Sequence, residues 1–73
     1  MPARLNKISK AFATLGIVTE KPKKGSHWKL RRPGTRVYTI PAHRGPKTEI
    51  DDKYIDGACK HFGIEPAAFR ALL

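Results

Sequence analysis

The sequence predicts an α+β fold: a small three-stranded antiparallel sheet with helices on one face, in the order α-β-β-β-α plus a short C-terminal helix. Three observations carry this. Leu5, Ile8, Phe12 and Leu15 recur at helical spacing, and so do Ile55, Ala58, Cys59 and Phe62. Between them lie three short runs of β-branched or alternating residues, separated by Pro and Gly. A lone sheet must bury its apolar side, so the helices form a layer against it and the other sheet face stays wet.

Taken in order, the first helix starts at Asn6 or in the Pro2 region and runs to a stop at Gly16, with Ala11 beside the apolar stripe and Lys7 and Lys10 on the wet side. Ile17-Val18-Thr19 is β-branched throughout and reads as the first strand, ended by Pro22. Lys23-Lys24-Gly25 is a basic connector. The second strand spans Ser26 to Arg32. Its alternation puts Trp28 and Leu30 inward and His27, Lys29 and Arg31 in a row on the open face. Arg32-Pro33-Gly34-Thr35 is a turn, so the third strand, Arg36 to Ile40, forms a hairpin with the second. Tyr38 and Ile40 are its expected inward pair, and Pro41 closes it. Residues 42–48 form a basic loop. Asp51 or Asp52 should cap the second helix through its side chain. Gly57 interrupts that helix at a cost of roughly 1 kcal/mol, which points to close packing there or to a slightly weak helix, and Gly63 stops it. Glu65-Pro66 opens the last helix, with Ile64 and Phe69 at the spacing of a hydrophobic staple.

With 73 residues the chain suits one domain, residues 1–73. A chain this short buries only ~60% of its unfolded surface, so a single compact core is expected. Lys and Arg number 15 against 6 acidic residues, a net charge of +9. That makes polyanions the natural partners. A basic amphipathic helix long enough for a bilayer surface is not in the sequence, and neither is an apolar run of signal or membrane length; no membrane partner and a cytoplasmic location are expected. Met1-Pro2-Ala3-Arg4 is too short and polar to be an address. The single cysteine, Cys59, excludes an internal disulfide and reads as core filler.

The chemistry concentrates in Lys23-Lys24-Gly25-Ser26-His27-Trp28-Lys29-Leu30-Arg31-Arg32, which combines an imidazole, an indole and five cations. Lys23, Lys24, Lys29 and Arg31, with Arg44 from the later loop, are candidate RNA or phosphate ligands. Gly25 lets the backbone approach a ligand closely, and Ser26 lies next to it. Cutting RNA requires a base for the 2′-hydroxyl, cations around phosphorus and an acid for the departing 5′-oxygen. Histidine ionises near neutrality and suits the first or third task. His27 as general base, with Lys24 and Arg31 on the phosphate, is one reading. From position alone a surface histidine on a basic strand is the other. His43 reads as a loop residue or an acid partner, and His61 as a cap on the second helix. Trp28 shares parity with Leu30, which favours core over base stacking. No cofactor or metal is expected, since the histidines are scattered and no Cys-x-x-Cys occurs.

Over residues 5 to 73 the chain resembles the HicA family of toxins from prokaryotic toxin–antitoxin pairs. The resemblance rests on Lys24-Gly25-Ser26-His27 at the head of the second strand and on Val37-Tyr38-Thr39-Ile40-Pro41 with His43 just beyond. It extends to Gly63-Ile64 and the segment with Phe69 and Leu72-Leu73. It implies a trimmed double-stranded-RNA-binding-domain-like fold and metal-independent cleavage of mRNA, an endoribonuclease (mRNA interferase) activity. It also implies silencing by a HicB-type antitoxin. His27 inherits the catalytic role, and Lys24, Gly25 and Ser26 inherit membership of the motif. A non-catalytic RNA-binding module on the same fold is the alternative, and an inactive relative that only binds protein is a third reading.

Overall fold

A computed structural model describes residues 2–73; Met1, part of the N-terminal segment discussed above, lies outside them. The elements are β1 (Ala3–Arg4), α1 (Leu5–Thr14), β2 (Val18–Glu20), β3 (His27–Arg31) and β4 (Tyr38–Pro41). They are followed by a 3-10 turn (Gly45–Lys47), β5 (Glu49–Ile50), α2 (Asp52–Phe62) and α3 (Pro66–Arg70). This is the expected α+β order with one addition. Residues 3–4 pair antiparallel with residues 49–50 as a two-stranded ribbon, where the sequence reading assigns no strand.

The main sheet runs β2-β3-β4, antiparallel throughout, with β3 in the centre. Thr19 stands opposite Leu30, and Trp28 opposite Ile40. Opposed residues share a face, so Thr19, Trp28, Leu30, Tyr38 and Ile40 form the covered side. Leu30 and Ile40 are fully buried there, joined by Phe12, Ile17, Ile50, Ile55, Cys59 and Phe69, while Trp28 and Tyr38 pack partly buried against them. Phe12 stacks on Phe69 with ring centroids 4.3 Å apart, tying α1 to α3. Trp28 is therefore part of the core, not a stacking platform.

α1 and α2 end alike, at Leu-Gly-Ile and Phe-Gly-Ile. Gly16 and Gly63 adopt φ of 80° and 71°, the left-handed conformation that glycine takes without steric cost. The Ile17 amide then donates back to Phe12 and the Ile64 amide to Cys59, at 3.0 and 2.8 Å. This satisfies carbonyls the helix leaves open and folds an apolar residue onto the core. Leu15, expected on the buried stripe, falls at the helix end and is exposed; Ile17 takes its place.

Element ends differ from expectation for identifiable reasons. β2 begins at Val18, one residue late, because Ile17 is used in the helix stop. β3 ends at Arg31, since Arg32 turns away to bond the α2 terminus at the Phe62 carbonyl. β4 runs Tyr38–Pro41 instead of Arg36–Ile40, the Arg36 carbonyl being held by His61. Asp51 occupies the N-cap position of α2, but its side chain makes no capping bond. At α3 the cap is real: Glu65 accepts from the Ala67 amide at 3.1 Å. Gly57 packs as anticipated. A Cβ there would collide with the Tyr38 hydroxyl, so its absence lets the sheet's tyrosine reach α2. Among the described residues no helix is long and apolar enough to cross a membrane.

Candidate nucleic-acid interface

The open face of the sheet follows from strand parity. His27, Lys29 and Arg31 are exposed on β3, flanked by Val18 and Glu20 on β2 and by Thr39 and Pro41 on β4. His27 is the first residue of β3 and faces Pro41 across the ladder. The Ala42 amide donates to the Ser26 carbonyl at 2.7 Å, so the pairing continues one step past His27. Hydrogen-bonded and non-bonded pairs alternate in an antiparallel ladder. Pro41 therefore falls where a backbone N–H would point outward from an edge strand, and proline loses no bond there.

Lys23, Lys24 and Gly25 form an exposed bend leading into β3, Gly25 with φ of 78°. Ser26 is half-buried. The fold thus gathers Lys23, Lys24, Gly25, Ser26, His27 and Lys29 at one end of the central strand. Among the described residues, no hydrogen bond or ion pair within the chain holds the side chains of Lys23, Lys24, His27 or Lys29.

Arg31 differs. Its Nε and Nη2 donate to the Glu20 carboxylate at 3.0 and 3.2 Å, a two-pronged pair across β2 and β3. The pair is half-exposed, so it contributes little stability, but it occupies the guanidinium. Glu20 is missing from the sequence reading. Its signal was parity: two residues after Val18, it must share Val18's face. Arg44 belongs to the turn after β4 and not to the open sheet face. It lies in a shallow groove with Arg4, His43, Lys47, Thr48 and Glu49, its amide bonded to the Thr48 hydroxyl at 2.7 Å.

The remaining candidates are used by the fold. Arg32 donates to the Phe62 carbonyl at 3.1 Å and lies over the Phe62 ring. His61 does not cap its own helix. Its Nε2–H donates to the Arg36 carbonyl at 2.6 Å, since a carbonyl can only accept, and its ring meets Phe62 edge-on. Burial pushes the Cys59 thiol up, with Asp56 adding to the effect, so it stays protonated at neutral pH. Burial, reinforced by Tyr54, likewise raises the Tyr38 phenol. Arg70 bridges Asp52 and Asp56 at 3.0 and 3.2 Å. Among the described residues no three His, Cys, Asp or Glu side chains converge as a ligand set.

The chain matches no protein-family model, no curated protein and no solved structure.

Proposed function

We propose that the protein is a metal-independent endoribonuclease of the HicA kind, a toxin that cuts mRNA in the cytoplasm and is silenced by a HicB-type antitoxin. The observation that carries this reading is the exposed His27 at the head of the central strand, beside Lys24 and Lys29, with no partner among the described residues for any of the three side chains. His27 takes the 2′-hydroxyl proton. The 2′-oxygen then bonds to phosphorus, the bond from phosphorus to the 5′-oxygen breaks, and that oxygen leaves with a proton taken from solvent water. Lys24 and Lys29 offset the charge that builds on the phosphoryl oxygens. The antitoxin acts most economically by covering His27, so complex formation should shield that ring from chemical modification.

His27→Ala tests the nuclease reading. Circular dichroism should be unchanged, because the side chain is exposed, and RNA cleavage should fall by at least about a hundredfold, the scale of general-base loss. Cleavage that persists in this variant defeats the assignment. A second reading, an RNA-binding module without catalysis, draws on one observation: among the described residues no side chain orients the His27 ring. It is upheld if wild type binds RNA in a salt-sensitive way and leaves it intact.

A further inference from the structure

The β1–β5 ribbon builds a surface that the sheet face does not contain. Leu5's amide donates to the Thr48 carbonyl at 2.9 Å, and Arg4 pairs with Glu49 across the ribbon. This docks the start of α1 beside the loop after β4. Two shallow grooves result, of about 380 and 530 Å³. Arg4 and Glu49 line both, so the two grooves adjoin at that pair and are taken together as a trough. Along it stand His43, Arg44, Lys47, Arg4 and Lys7, with Glu49 as the one acidic side chain among the described residues lining either groove. Although Arg4 and Glu49 face each other, no ion pair closes between them among the described residues. The cations are held on a stiff backbone: the Thr48 amide returns to Gly45 at 3.0 Å and Arg44 is tied to Thr48.

The trough begins where the His27 site stops. The Ala42 amide bonds the Ser26 carbonyl, and His43, the first residue of the turn that follows, already lines the groove. A single anion needs one convergent pocket. A line of cations in a groove, continuous with a phosphate site, fits a polyanionic chain.

We infer that the trough holds the backbone of the same RNA strand that His27 acts on, through Arg4, Lys7, Arg44 and Lys47. The inference rests on the RNA-cleaving reading above and narrows its substrate class: the enzyme requires a strand extending several nucleotides to one side of the cut. A short fragment around the scissile bond is then a poor substrate, because it leaves the trough empty.

The test uses the full chain with His27→Ala, so that RNA survives, and fluorescently labelled single-stranded RNA of graded length. Affinity is measured between about 50 and 200 mM salt. The trough variant is Arg4→Ser, Arg44→Ser and Lys47→Ser. A control, Lys10→Ser, Lys53→Ser and Lys60→Ser, removes the same charge from exposed positions on α1 and α2. Three lost phosphate contacts should flatten the slope of log affinity against log salt by about 2. They should also abolish the gain in affinity with RNA length, while the control keeps both. Equal slopes in the trough variant and its parent overturn the inference, as does an equal effect of the control. The first of these outcomes leaves the trough to an acidic protein surface. The two proposals fail separately. Binding without cutting by wild type defeats the nuclease and leaves the trough, and cutting with an unmoved slope defeats the trough and leaves the nuclease.

Discussion

At one end of β3 stand Lys23, Lys24, His27 and Lys29; at the other stand Arg31, Arg32 and, packed against the hairpin, His61. The residue types match, but their surroundings do not. Glu20 takes Arg31, the Phe62 carbonyl takes Arg32, and the Arg36 carbonyl takes the His61 ring. At the first end no acceptor among the described residues meets the side chains. A positive group engaged by its own chain contributes to the fold, and one held exposed without a partner is available to an external anion. Net charge alone does not separate the two sets; the hydrogen-bond inventory does.

The largest contrast should appear in stability. Arg32→Ala removes a charged donor from a helix-terminal carbonyl and uncovers the Phe62 ring, and should cost about 2 kcal/mol in urea unfolding. Lys24→Ala should stay within about 0.5 kcal/mol. Similar losses for both would erase the distinction between the two ends. The covered side of the sheet offers a smaller effect. Gly57→Ala gains up to about 1 kcal/mol of helix propensity, yet it overpacks Tyr38, a change that typically costs about 1–3 kcal/mol. A net loss near 1 kcal/mol is expected, relieved when Tyr38→Phe removes the colliding hydroxyl. A stabilised single variant would mean that the tyrosine yields freely.

The smallest stability change belongs to Glu20→Gln, within about 0.5 kcal/mol for so exposed a pair. Its effect should instead appear in binding. With Arg31 released, the open face gains a free cation, and RNA affinity should show a salt slope steeper by about 0.7. An unaltered slope would remove Arg31 from the RNA contacts.

Much of this was legible from periodicity. The stripes of α1 and α2, the inward Trp28, Leu30, Tyr38 and Ile40, and the exposed row of His27, Lys29 and Arg31 all follow from spacings of 3.6 and 2. What escaped has a common cause: it depends on distance along the chain. The β1–β5 ribbon joins two-residue strands that carry no repeat of their own. The Glu20–Arg31 pair needs the register of β2 against β3, which the connector sets. His61 meets a carbonyl 25 residues away. The trough exists only once the N-terminal residues dock beside the loop after β4. The sheet face could be read locally, whereas the trough needed tertiary assembly.

Pro41 bears on how the molecule behaves in a crowd. The outer rim of β4 is a free strand edge, the kind along which identical chains zip into aggregates. Opposite His27 that rim lacks the amide a docking strand would grip. Self-association by edge pairing is thereby discouraged at that end of the sheet, and concentrated protein has one fewer place to zip.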